Sequence, residues 1–188
     1  MSKQKSNLLR IIGGEHRGRK LPFPDAPGLR PTPDRVRETL FNWLMPVIAG
    51  SRCLDLFAGS GALGLEAISR GARQVVMLDN QPSVAKQLRK NLQTLNIEHA
   101  EVVQADGLAY LDKTGSVFDI VFLDPPYQED LLPACITHLE TRGWLARHAW
   151  IYLEVAKQDG LPDLPVNWKV HRRKEAGQVA YHLIERSG

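Results

Sequence analysis

Apolar and polar positions along the chain switch between two rhythms, and the switches mark out an alternation of strands and helices. Short apolar runs near 52–57, 74–79, 100–104, 117–123 and 149–155 have the length and content of strands buried on both faces of a parallel sheet. Between them the period lengthens, and the first four strands are each followed by a helix. Ahead of them, Val36, Leu40, Phe41, Leu44 and Ile48 recur at helical spacing, which predicts a helix with Thr32 as N-cap, Pro33 at its first position and Asp34 in its first turn. The end of the chain differs: 168–173 and 179–185 read as extended and are joined across Glu175-Ala176-Gly177, an antiparallel hairpin. The pattern predicts an α/β fold with five parallel strands, a C-terminal antiparallel pair and one sizeable core.

Two strand endings carry chemistry. The run Val121-Phe122-Leu123 stops at Asp124-Pro125-Pro126-Tyr127. Two prolines cannot donate to a ladder and fix φ, so this is a rigid loop at a strand's carboxyl end, where open α/β sheets bind ligands. Its carboxylate, its carbonyls and the Tyr127 ring suit a planar base held by its exocyclic amino group; the plain alternative is a Pro-Pro turn with Asp124 as a cap. Upstream, Cys53-Leu-Asp-Leu-Phe-Ala-Gly-Ser-Gly-Ala-Leu-Gly64 runs a strand through Gly59, Ser60 and Gly61 into a helix near Ala62. Glycines there let a ligand approach the backbone closely. The spacing also fits a dinucleotide fingerprint, but Asp55 just before the turn would repel a pyrophosphate and suits the ammonium and sulfonium of S-adenosylmethionine. Asp79 ends the next strand, placed for ribose hydroxyls, and Asp106 follows a third, placed for an adenine amino group. Each acid alone could be a helix cap; acids closing four successive strands at one edge point to a nucleoside cofactor.

With these residues the chain resembles the class I S-adenosylmethionine-dependent methyltransferases that act on amino groups of nucleic-acid bases. Three further stretches, 10–21, 30–41 (Arg30-Pro-Thr-Pro-Asp-Arg-Val-Arg-Glu-Thr-Leu-Phe41) and 177–181, are similar to the RsmD family, bacterial 16S ribosomal RNA guanine-N2 methyltransferases. The resemblance implies a Rossmann-like seven-stranded sheet and direct transfer to guanine N2, with Asp124, Pro125, Pro126 and Tyr127 as the catalytic tetrad. It extends the cofactor set from Asp55, Gly59, Gly61, Asp79 and Asp106 to Phe57, Ala58, Ser60, Asn80, Gly107 and Asp124. The tetrad reads an amino group and not a whole base, so adenine N6 stays open as the acceptor. A non-catalytic RNA-binding protein on the same scaffold is a further alternative.

Charge adds a partner. Residues 1–37 hold nine lysines and arginines against three acids, a net +6, which leaves −3 for the rest of a chain of formal charge +3. A basic arm on a mildly acidic body points to phosphate contact. Arg10, Arg17, Arg19 and Lys20 fall in a predicted short hairpin and, with Arg30, Arg35 and Arg37, form the candidate RNA-binding set. Arg35 and Glu38 lie off the apolar helix face. Five prolines between residues 22 and 33 make the connector stiff. The expected division is therefore 1–33, arm and connector, and 34–188, methyltransferase domain. Cys53 and Cys135 form no disulfide framework, and the six histidines show no i,i+3 or i,i+4 pairing, so no metal site is expected. With no secretory-type apolar segment at the start, the expectation is a cytoplasmic monomer acting on 16S RNA, within a partly or fully assembled small ribosomal subunit.

Overall fold

The structure is a computed structural model that describes residues 7–126 and 130–188. Its elements are β1 (Asn7–Arg10), β2 (Lys20–Phe23), α1 (Asp34–Ile48), β3 (Arg52–Asp55), α2 (Ala62–Ser69), β4 (Gln74–Asp79), α3 (Pro82–Thr94), β5 (Ala100–Gln104), α4 (Gly107–Leu111), β6 (Phe118–Leu123), α5 (Leu132–Thr141), β7 (Leu145–Ala156), β8 (Trp168–Ala176) and β9 (Val179–Ser187). Seven strands form one sheet in the order β5-β4-β3-β6-β7-β9-β8. The first five are parallel, and β9 and β8 add antiparallel. The chain order leaves β3 to the left and returns at β6 on its right. Such a reversal opens a crevice at the carboxyl ends of the strands.

Side chains alternate across the sheet and build two apolar layers. One packs Cys53, Val75, Met77, Ile120, Phe122 and Tyr152 beneath α1, α2 and α3; the other packs Leu54, Leu78, Val121, Leu123 and Ile151 beneath α4 and α5. The five apolar residues expected on α1 are all buried. The helix begins one residue later than its sequence signals suggest. Pro33 is the N-cap, with no side-chain cap bond. Thr32 is buried, and its carbonyl accepts from Arg37 Nε at 3.2 Å, so the residue belongs to the connector's packing. β7 starts at Leu145, four residues before the expected strand, because Phe118 in β6 pairs with Leu145 before the register shifts.

The predicted N-terminal hairpin is present as β1 paired to β2. Leu9, Ile11, Leu21 and Phe23 sink into the α1–α3 layer. Its loop is tied to the last turn of α2: Glu15 N–H donates to the Ser69 carbonyl at 2.8 Å and His16 N–H to Ser69 Oγ at 2.9 Å. That end of α2 faces the amino edge of the sheet, opposite the crevice.

Candidate active site

Asp106, Asp79, Asp55 and Asp124 stand at or just beyond the carboxyl ends of β5, β4, β3 and β6, four neighbours in the sheet. The sequence expectation of one acidic edge is met in position, and the structure gives each acid a different environment.

Asp79 is partly buried. Its Oδ2 accepts from Gly59 N–H at 3.1 Å and its Oδ1 from Gln81 N–H at 2.9 Å. Burial raises its carboxyl above the ordinary range, and the two amides work against that rise. This carboxylate is clamped to the glycine loop by two amides and keeps partial exposure. Asp55 is buried below the same loop, its Oδ2 accepting from Gly64 N–H at 2.9 Å. Burial pushes it up to about 7; the Gly64 amide opposes and the charge of Asp79 reinforces the rise. Expected to face a cofactor's ammonium, Asp55 is bonded first to the amide it braces.

The loop between them turns through left-handed backbone at Gly59 (φ +53°) and Gly61 (φ +82°). A Cβ on Gly61 would stand 2.7 Å from Leu88 Cδ2, so glycine is required there both by conformation and by space. The loop then brings the amides of Ala62 and Leu63, ahead of the Asp55-bound Gly64, to the carboxyl edge of the sheet. Ala58 and Ser60 are buried, whereas Phe57 and Gly59 keep partial exposure and Asn80 is open to solvent. Asp106 is the N-cap of α4, its Oδ1 accepting from Ala109 N–H at 2.8 Å. The capping alternative is realised, and the residue remains exposed, with its second oxygen outside the capping bond. Gly107 is buried behind it, where an added Cβ would lie 3.0 Å from Phe57 Cε1.

Asp124 is partly exposed as a residue, yet the burial of its carboxyl is the main cause holding it well above the usual carboxylate range. Glu154 beside it and Asp55 add to the rise. Pro125 is buried and Pro126 exposed. Tyr127 lies outside the described residues. A cavity of about 800 Å³ opens against the two prolines and is lined also by Leu132, Pro133, Ile136 and Glu154.

Glu154 was not among the expected site residues. It lies two residues before the end of β7, the fifth parallel strand, is 8% exposed, and its Oε2 accepts from Tyr152 O–H at 2.8 Å. Leu123 pairs with Leu153, so Glu154 follows on the row of Asp124. Tyr152 and Phe122 share the α1–α3 layer, and alternation places Asp55, Asp124 and Glu154 on that same face. Its only mark in the sequence is a single acid inside the apolar run of the strand expected at 149–155.

Of the expected RNA contacts, Arg10, Arg17, Arg19, Lys20, Arg30 and Arg35 are exposed. Arg37 is not. At 1% exposure it donates to the Thr32 and Arg10 carbonyls and pairs with Asp34 and Glu66. Its place on the inner face of α1, one turn before Phe41, makes it a buried cation that fastens the arm to the body. Arg17 and Arg19 sit near the amino edge, Arg19 Nη2 reaching the Thr94 carbonyl at the end of α3.

A parallel sheet reversing at β3/β6, a glycine loop leading into α2, and acids closing the neighbouring strands define a Rossmann-like fold of the methyltransferase type. A solved methyltransferase from Escherichia coli superposes with a TM-score of 0.92 at 52% identity, covering 96% of this chain and 99% of its own. The family model described as conserved hypothetical protein 95 matches residues 9–185, and the chain belongs to that family, the RsmD family. Ribosomal RNA small subunit methyltransferase D of Escherichia coli K12 is 55% identical over 96% of this chain and 91% of its own length. The protein of that name from Haemophilus influenzae is 49% identical, over 94% and 93%.

Proposed function

We propose that this protein methylates the N2 amino group of a guanine in 16S ribosomal RNA, in the cytoplasm and as a monomer, with the base presented by a partly or fully assembled small subunit. The observation that carries the reading is the Asp124-Pro125-Pro126 loop closing the strand beside the glycine loop, with four acids along one edge. The relatives' name supplies the substrate class, ribosomal RNA of the small subunit.

The donor set fits S-adenosylmethionine. The amides opening α2 and the close backbone at Gly59 and Gly61 can receive its amino-acid portion. Asp79, already oriented by two amides, can take both ribose hydroxyls, and the second oxygen of Asp106 the adenine amino group. Bound there, the cofactor supplies an electrophilic methyl on a sulfonium. Asp124 and the Pro125 carbonyl accept from the N2 amino hydrogens, turning the nitrogen lone pair toward that methyl and stabilising the positive charge that grows on nitrogen. Burial and the neighbouring acids raise the Asp124 carboxyl; a cation entering the crevice works against that rise and favours the ionised form that catalysis needs. Tyr127 closes the tetrad as a stacking face for a base turned out of its helix. Alignment of this kind can supply roughly 7–11 kcal/mol of the barrier.

The test is transfer of labelled methyl from S-adenosylmethionine to unmodified 16S RNA, small subunits and genomic DNA, with nucleoside mass analysis. N2-methylguanosine from RNA or subunits is the expected product; N6-methyladenine, or no product from any RNA, overturns the reading. Asp124→Ala should then lower turnover by a factor of about 100 or more while leaving cofactor affinity in place.

A further inference from the structure

The outermost strand of the sheet, β8, is buried only at Trp168. From Lys169 to Glu175 every residue is exposed, and this stretch holds Lys169, His171, Arg172, Arg173 and Lys174 before its first acid. Strict alternation would divide these side chains evenly, with Lys169, His171 and Arg173 on one face and Arg172 and Lys174 on the other. The ladder with β9 prevents that division. Val170 stands opposite Ile184 and Arg172 opposite Leu183, which leaves His171 as an extra residue, a bulge. Directly opposed residues share a face. Leu183 and Tyr181 belong to the layer beneath α1, so Arg172, opposite Leu183, and Lys174, opposite Tyr181, point to that side. Lys169, opposite Glu185, joins them, and His171 lies edge-on to Trp150 with ring centroids 5.0 Å apart. Arg173 turns to the other face, where it meets Glu175.

The bulge thus collects cations on the face that carries Asp55, Asp124 and Glu154. The position along the strand fits as well: Lys174 is opposite Tyr181, which is opposite Glu154, so Lys174 is level with the crevice. Among the described residues no ion pair takes Arg172 or Lys174. Lysines and bulges both guard a sheet edge against pairing, but that task does not require the cations to share one face. A chain of phosphates lying along one side does need its cations gathered there. The expected arm offers less at this end, because Arg17 and Arg19 sit near the amino edge of the sheet.

We propose that this face of β8 receives the RNA backbone leading to the Asp124 pocket, with Arg172 and Lys174 on phosphates. The proposal rests on the reading of an RNA substrate. The test measures binding of a 16S RNA fragment over a salt series, together with methyl-transfer kinetics, for the double variant Arg172→Ala/Lys174→Ala. Loss of two phosphate contacts should reduce the slope of log affinity against log salt by about 1.5. KM for RNA should rise, with kcat at saturating RNA and cofactor affinity unchanged. The charge-keeping exchange Arg172→Lys/Lys174→Arg should restore the slope, since phosphate contact needs the charge and not the shape. A double alanine variant with wild-type slope and KM overturns the proposal. So does a variant that fails only on assembled subunits while binding naked RNA normally, which would give the face to a ribosomal protein. A wild-type enzyme that methylates no RNA refutes the parent reading instead, whatever the β8 variants do.

Discussion

Glu66 and Asp124 are both acids closed into this small protein, and their surroundings are opposite. Glu66, fully buried in α2, accepts from the Ile12 and Gly13 amides at 3.1 and 2.8 Å. It also faces two guanidinium groups, Arg70 at 2.9 Å and Arg37 at 3.4 Å. Asp124 and its neighbour Asp55 enter no ion pair among the described residues, and Asp124 has Glu154 beside it. Where a buried charge is compensated on all sides, it locks one conformation of the hairpin, α1 and α2. Where acids crowd without a paired cation, the fold gives up stability, the pattern expected of a functional site and in keeping with the proposed one.

The comparison breaks most sharply at Arg37. Removing it leaves Glu66 short of a cation in the interior, a change that costs about 3–5 kcal/mol in buried pairs. For a chain of this length Arg37→Ala should lower the melting temperature by about 10 °C. Calorimetric unfolding checks this. A variant with wild-type melting but weakened RNA binding would return Arg37 to the surface set in which its sequence context first placed it.

That context explains what could be read in advance. The strands at 74–79 and 100–104, the glycine loop and the hairpin ending at 187 were legible because local patterns dictate them: apolar runs of strand length, glycines where the backbone turns left-handed, a turn at Gly177. The four aspartates were legible as a row because each stands at the end of its strand or within two residues of it. Arg37 was not, although it falls one helical turn before Phe41 on the buried stripe, because its partner Glu66 is 29 residues away and no short pattern joins them. Glu154 was passed over because an acid inside an apolar strand reads as a solvent-facing position until the neighbouring strand is known. The β8 bulge has no local signature at all; it exists only as a register shift within the β8–β9 ladder.

The acidic side of the comparison can be sharpened through Asp55. Its carboxyl titrates at about 7 in the fold against an ordinary value of 3.8. Across that window the folded chain keeps a proton that the unfolded chain has released. Stability therefore falls as pH rises from about 4 to about 7 and is level above. Asp55→Asn keeps an oxygen for the Gly64 amide and removes the ionisation. It should gain on the wild type with rising pH, by at most about 4 kcal/mol at pH 8. Denaturant titrations at pH 5 and pH 8 read the difference. A gap between variant and wild type that stays constant with pH would mean that Asp55 is not the group held protonated by burial.

The smallest effect separates Glu154 from Asp124. Asp124 faces Glu154 and Asp55, and Glu154 in turn faces Tyr152 on its own strand and Tyr181 across β9. The charge of Glu154 adds to the rise of the Asp124 carboxyl, and under the proposed reaction that rise makes Asp124 the base for the proton that a newly methylated nitrogen sheds. Glu154→Gln removes that charge while keeping an acceptor for the Tyr152 hydroxyl. Asp124 then ionises more easily but is a weaker base. The acid limb of the turnover profile should move to lower pH, while the plateau drops by about tenfold. Cofactor affinity should hold, because Asp79 and the glycine loop are untouched. If Glu154 were only packing, the variant would shift melting temperature and leave the limb where it was, so the pH profile of turnover, measured with RNA saturating, decides between the two roles.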